Sequence, residues 1–189
     1  MIHDKPIRTI RRSAVVAAAF LLVSGAAAAV GPTMPGTTYV GAQVAQMDWE
    51  LEMEDGGQVV EYDFQPLALI GRFGHFILPG VALEGRLGIN LSDDDDMELD
   101  GLFGAYAVAH LLNVRDSFSI YVLAGATNAD LGEDNTVDDT ALSFGAGADL
   151  YLQGNLSIGF EYTQYHSGAE DGGAEWDLSA VSLGIRSHF

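Results

Sequence analysis

The side chains of this chain that could do chemistry are mostly carboxylates. Asp93, Asp94, Asp95 and Asp96 form an unbroken run, with Glu98 and Asp100 close behind. Clustered carboxylate oxygens are the ligands that the hard cations Ca²⁺ and Mg²⁺ prefer. The run lacks EF-hand spacing and the glycine that follows the third ligand of that loop, so it predicts low-affinity divalent binding, with plain solvation of a charged surface as the alternative. Histidine chemistry has less support. His75, His110, His166 and His188 stand at no metal-ligand spacing, and the absence of Cys removes zinc–thiolate sites. Gly145-Ala146-Gly147 meets Leu150 where the third glycine of a dinucleotide-binding loop belongs. His166 and Ser167, with Glu175 further on, have the residue types of a base, a nucleophile and an orienting carboxylate. Neighbouring residues on a strand point to opposite faces, so the first two could pair only where a strand has ended. No cofactor is expected beyond a weakly held cation.

The formal net charge is −19. Lys5, Arg8, Arg11 and Arg12 all lie at the start, so the remainder is more acidic still, and its only Lys or Arg residues are Arg72, Arg86, Arg115 and Arg186. A surface of that sign repels nucleic acid. The basic start, the apolar stretch from Ala14 to Val23 and the small residues Ala27-Ala28-Ala29 have the make-up of a secretory leader. Residues 1–29 are therefore expected to be a signal peptide and 30–189 one domain.

Beyond the leader the chain repeats a pattern of roughly ten to fifteen alternating residues followed by a turn, which is how membrane-spanning strands read. Eight segments are predicted: Thr38 to Met53, Glu61 to Phe73, Pro79 to Leu91, Leu99 to Leu112, Ser117 to Ala129, Thr140 to Gln153, Asn155 to His166 and Trp176 to Phe189. In the third, Val81, Leu83, Leu87 and Ile89 share a face against Glu84, Arg86 and Asn90. In the sixth, Leu142, Phe144, Ala146, Leu150 and Leu152 oppose Ser143, Gly145, Gly147, Asp149 and Tyr151. The seventh sets Leu156, Ile158, Phe160 and Tyr162 against Ser157, Gly159, Glu161 and Thr163, and the last sets Val181, Leu183, Ile185 and Phe189 against Ser182, Gly184, Arg186 and His188. If the apolar faces meet lipid, Glu84, Arg86, Asp149, Glu161 and Arg186 project into a lumen and must pair there, because an isolated charge is costly in that setting. The first, second and fourth segments leave their phase open. Val40, Ala42 and Val44 fit one phase and Met47, Trp49 and Leu51 the other, which suggests a bulge, and Pro66 removes a ladder donor from the second.

Connections alternate too. Those at Met53 to Gln58, Ser92 to Glu98, Asp130 to Asp139 and Ser167 to Glu175 are acidic, whereas Gly74 to Leu78, Asn113 to Asp116 and Gln153 to Asn155 are short and nearly neutral. Short turns mark the periplasmic side of such a barrel and longer connections the external side. Tyr39, Phe118, Tyr151 and Phe189 at one end and Trp49, Tyr62, Tyr162 and Trp176 at the other suit the two interfacial girdles.

Tyr39-Val40-Gly41-Ala42, the Tyr121 to Gly125 run, Gly145-Ala146-Gly147, Phe160-Glu161-Tyr162 and the Gly184 to Phe189 ending together resemble the small eight-stranded bacterial outer-membrane barrels of the OmpA transmembrane-domain and OmpX type. That resemblance implies an all-β, antiparallel up-and-down barrel in the outer membrane, exported by the general secretory route and expected as a monomer. Its surroundings would be outer-membrane lipids and lipopolysaccharide, and Phe189 would be part of the signal read by the barrel-assembly machinery. It implies a structural or surface-interaction role, with a lumen that eight strands leave just wide enough for side chains to fill. Some barrels of this size are lipid A deacylases with a His/Ser/Glu triad. His166, Ser167 and Glu175 depart from the spacing of that triad, which makes an enzyme the second reading and a narrow pore for small solutes the third.

Overall fold

A computed structural model describes residues 32–55, 58–91, 99–114, 117–131, 139–152, 155–171 and 174–189. The strands are β1 (Thr38–Asp55), β2 (Gln58–Phe64), β3 (Leu67–Leu78), β4 (Val81–Asn90), β5 (Leu99–Val114), β6 (Phe118–Leu131), β7 (Asp139–Tyr151), β8 (Leu156–Asp171) and β9 (Ala174–His188). Each pairs antiparallel with its neighbour, and β1 pairs with β9 to close the wall. Both β2 and β3 lie along β1, so they are two lengths of one wall strand, and eight strands enclose the lumen. The break falls at Gln65–Pro66, where Pro66 has no N–H to donate but its carbonyl still accepts from Met47 N at 2.9 Å.

Following partners around the wall from Met47, through Ala180, Thr163, Gly145, Leu123, Val108, Ala82 and Phe76, returns to Thr37. The stagger is ten residues (47 less 37), the kind of shear that tilts strands by about 35–45°. On β7 the outward positions from Leu142 to Leu152 are all apolar. Ten steps at about 3.3 Å and that tilt make an apolar belt roughly 25 Å tall, the height of a membrane-spanning band. Phe73, Leu87, Phe103, Phe144, Phe160 and Leu183 in this belt are more than half exposed, while Arg72, Glu84, Arg86, Asp149, Glu161 and Arg186 of the same wall are buried. The wall is thus apolar towards its outer face and holds its buried charges inside.

The faces expected for the third, sixth, seventh and last segments are those observed. The open phases resolve as follows. Along β1, Tyr39, Gln43, Ala45 and Met47 are buried in turn and the register with β9 is unbroken, so the bulge suggested there is absent. Met47 misled because the upper lumen is itself apolar, lined by Met47, Ala68, Ile70, Leu102 and Leu178. A register shift does occur in β5, between His110 and Leu112. Ala68, Ile70, Arg72, Gly74 and Phe76 face inward on β3. Tyr39 and Tyr151 also turn inward rather than joining a girdle. Tyr39 is 2 % exposed, and Tyr151 stacks edge-on against His188 at 5.5 Å.

Among the described residues two of the four acidic connections are mostly strand, and the connection expected at Gly74 to Leu78 is strand as well, since β3 runs on to Leu78. β1 runs to Asp55 and resumes as β2 at Gln58, and β8 runs to Asp171 before β9 starts at Ala174. The Glu50, Glu52, Glu54 and Glu61, Asp63 alternations carried that signal, since period two in charge is as much a strand pattern as period two in hydrophobicity.

Candidate functional site: the filled lumen

Three layers fill the barrel. At the end where β1 begins and β9 ends, Tyr39, Phe76, His110, Tyr121, Tyr151 and His188 form a chain of ring contacts between 5.2 and 5.7 Å. Residues 32–37, just ahead of β1, lie across this floor. Gly36 N donates to Phe76 O, Gly80 N to Thr33 O, and Asn113 Nδ2 to Thr33 Oγ1 at 2.8 Å. Gly80 takes a φ of +72° in the tight β3–β4 turn, a conformation open to glycine at little cost.

Above the floor sit the charges. Arg86 Nε donates to Glu84 Oε1 at 2.6 Å, and its two Nη atoms grip Glu161 at 2.7 and 3.0 Å. Arg72 reaches the same two carboxylates, Glu84 at 2.8 Å and Glu161 at 3.1 Å, and donates to Gln43 at 2.7 Å. Arg186 pairs with Asp149 and donates to Tyr121 Oη at 2.6 Å, and Tyr121 in turn donates to Glu161 at 2.9 Å. Tyr39 donates to Glu84. Three guanidinium groups thus meet three carboxylates through one connected set of hydrogen bonds. All six side chains are 0–4 % exposed. The charges cancel, which is the condition for burying them at all. The Arg86 guanidinium also lies 4.4 Å from the Tyr106 ring centroid.

Glycines make the room. A Cβ on Gly74 would fall 2.1 Å from the Tyr39 ring, one on Gly147 2.4 Å from the Tyr121 ring, and one on Gly159 2.7 Å from Asp149 Oδ1. Thus Gly147, unpromising as a dinucleotide loop, is a seat for a lumen tyrosine. The third layer is the apolar one around Met47, Ile70, Leu102 and Leu178, with Tyr165 beside it and a hydroxyl string of Tyr106, Thr127 and Ser143. Ser143 Oγ donates to Tyr165 O at 2.8 Å, satisfying a β8 carbonyl just beyond the last β7–β8 pair.

Among residues singled out from the sequence, Glu84, Arg86, Asp149, Glu161 and Arg186 all lie in the charge layer. Arg72 was missed because Pro66 hid the phase of its strand. A signal existed: three inward carboxylates against two inward arginines leave one negative charge unmatched, and Arg72 is the remaining arginine within a predicted strand. Phe189 exchanges two backbone hydrogen bonds of 2.8 Å with Thr38, at the seam where the last strand closes on the first. Asp93 to Asp96 and the leader lie outside the described residues. His166 pairs with Leu178 across the β8–β9 ladder, whereas Glu175 pairs with Glu170. Three steps along β9 set the positions of His166 and Glu175 roughly 10 Å apart along the strands.

Residues 15–189 match the family described as the outer membrane protein beta-barrel domain. The chain belongs to this outer-membrane β-barrel family. Its place is therefore the outer membrane, and its apolar belt is the lipid-facing surface. No curated protein matches the chain in sequence. Among solved structures, it is similar to the N-terminal β-barrel domain of Pseudomonas aeruginosa OprF, with a TM-score of 0.58, 16% identity and cover of 82% of this chain and 98% of that one. Neisserial surface protein A gives 0.56 at 16% identity, over 82% and 99% of the two chains. Ail, the attachment invasion locus protein of Yersinia pestis, gives 0.52 at 17% identity, over 82% and 100%. These likenesses show a shared fold.

Proposed function

We propose that this protein is a structural, surface-interacting barrel whose lumen neither conducts nor catalyses. The observation that carries this reading is the neutral charge layer held between an aromatic floor and an apolar upper layer. An ion entering the lumen would have to displace paired, desolvated groups. A substrate would have to displace the same side chains. With the interior committed to stability, what remains available for contact is the external end, oriented outward because the opposite side carries the tight turns. Neisserial surface protein A and Ail, named for the surface and for attachment, share this fold.

The purified protein in a planar lipid bilayer is expected to give no discrete current steps, and lipid A from cells with and without it should have identical mass spectra. Stable single-channel steps, or loss of an acyl chain from lipid A only when the protein is present, would overturn the reading. The wide separation of the His166 and Glu175 positions argues for the second half of that expectation.

The seam position of Phe189 supports its role as the signal read by the assembly machinery. Deleting Phe189 removes a residue with two closing backbone hydrogen bonds but leaves the leader intact. The variant should still be exported and should accumulate outside the membrane fraction; wild-type levels of membrane-inserted barrel would refute the role. The barrel functions as a monomer among outer-membrane lipids and lipopolysaccharide. Asp93 to Asp96 hold Ca²⁺ or Mg²⁺ weakly, a binding that calorimetry at millimolar Ca²⁺ would detect as heat lost on replacing the four aspartates.

A further inference from the structure

The lipid-facing belt is uneven in height. On β1 the outward residues run Thr38, Val40, Ala42, Val44, Gln46, and on β9 they run Ser179, Val181, Leu183, Ile185, Ser187. Each of these strands offers three apolar positions between polar ones eight residues apart (46 less 38, and 187 less 179). At about 3.3 Å per residue and a tilt of about 40°, those polar limits stand roughly 20 Å apart. On β7 the apolar run from Leu142 to Leu152 alone covers roughly 25 Å. β6, four strands from β1 in either direction, stays apolar on its outward face from Phe118 to Ala126. The short sector is therefore the seam where β1 pairs with β9.

The polar limits of the seam are built from groups that bond to one another on the outer surface. Externally, Gln46 donates through Nε2 to Gln65 Oε1 at 3.3 Å, and Ser179 is the ladder partner of both Asp48 and Gln164. Tyr162 donates its hydroxyl to Gln164 Oε1 at 2.9 Å, so its ring lies among Val181 and Phe160 with its polar end turned outward along the strand. A tyrosine so placed marks an interfacial layer. On the periplasmic side, Thr38 Oγ1 and His75 Nδ1 share a hydrogen bond of 2.9 Å, and Ser187 is the partner of Val40, the next outward residue above Thr38. Tilting the barrel moves both limits of a strand in the same direction and leaves their separation unchanged. It cannot bring Thr38 and Gln46 out of a hydrocarbon layer of roughly 25 Å together, so the membrane has to yield.

We propose that the β1–β9 seam holds the surrounding bilayer in a locally thinned state, its hydrocarbon layer roughly 5 Å thinner there than along β6 and β7. The lipids are met at the level of their ester, amide and hydroxyl groups. Gln46, Gln164 and Ser179 both donate and accept hydrogen bonds, as those groups require. Among the described residues the arginines are Arg72, Arg86 and Arg186, all buried in the lumen, which leaves no guanidinium on this surface to grip a phosphate. Phe189 and Ile77, one outward position beyond Ser187 and His75, then lie in the interfacial layer of the periplasmic side. The proposal rests on the family's place in the membrane and not on the surface-interaction reading, so the current and lipid A measurements are unaffected by its outcome.

The chain has no Cys, so spin labels can be attached singly to the full barrel in bilayers of dimyristoyl phosphatidylcholine. Labels at Val40→Cys and Val44→Cys, four residues apart at the seam, are compared with labels at Ala148→Cys and Phe144→Cys, four apart at about the same heights on β7. Both seam labels should collide with a water-soluble nickel chelate at least about threefold more often than their β7 counterparts. Thr38→Val/Gln46→Leu/Ser179→Leu/Ser187→Leu extends the apolar face at both limits and should bring the seam labels down to the β7 level. Equal collision rates in the two sectors would overturn the proposal. A rise at Val44 matched by a fall at Val40 would do so as well, since that is the mark of a tilted barrel in an even bilayer. So would undiminished seam rates in the filled variant, and the comparison of sectors in the otherwise unaltered chain decides even if that variant fails to fold.

Discussion

Replacing Arg86 by alanine is expected to lower the stability of the barrel by about 3–5 kcal/mol, read from urea unfolding in lipid vesicles. Arg86 holds Glu84 and grips Glu161 with both Nη atoms, and all three side chains are shut off from solvent. Without it, Arg72 is left to serve both carboxylates, and the layer carries one uncompensated buried negative charge. Arg86→Ala/Glu84→Gln restores two cations against two anions. The double variant should therefore recover a substantial part of the loss, and the two single losses should fail to add by well over about 0.5 kcal/mol. Strict additivity would show that Arg86 and Glu84 act independently and that the layer is no network.

The reason so much of this layer could be read beforehand is that a membrane barrel inverts the usual rule. Where the outward face must be apolar, any charge in clean alternation with Leu or Ile has to be interior, and β4, β7, β8 and β9 offered such alternation. The same logic fails where the interior is also apolar. Met47, Ala45 and Ile70 are as buried as any lumen charge, so their strands show hydrophobic residues on both faces and no phase. It fails again at Tyr39 and Tyr151, because an amphipathic ring suits a lumen glycine as well as a headgroup layer. Strand ends were misjudged at the external side, where acidity was taken to mean loop, and once at the opposite side, where Gly74 to Leu78 was taken as a connection although β3 runs to Leu78. Beyond the lipid there is water on the strand face, and period-two placement of Glu50, Glu52 and Glu54 is then the informative feature rather than their charge. What no pattern within one strand could supply was contact across the barrel: Arg86 and Glu161, 75 residues apart in the chain, meet only in the closed lumen.

Arg186→Ala should be the more damaging change, toward the upper end of the same range of about 3–5 kcal/mol, because its site lacks the redundancy of the Arg72–Arg86 pair. Glu84 and Glu161 each touch two guanidinium groups. Asp149, 0 % exposed, makes its one ion pair among the described residues with Arg186, and its Oδ1 has no hydrogen-bond partner there. Removing Arg186 therefore strands a whole buried carboxylate, and Tyr121 loses the donor that ties it to this side of the layer while keeping its own bond to Glu161. Asp149→Asn in the Arg186→Ala background takes the stranded charge away, so the double variant should be more stable than Arg186→Ala alone. Unfolding titrations on Arg72→Ala, Arg86→Ala, Arg186→Ala and that double variant decide the matter. Equal losses for the three arginines, or a double variant weaker than Arg186→Ala, would mean that burial alone and not the pattern of shared carboxylates sets what each arginine contributes.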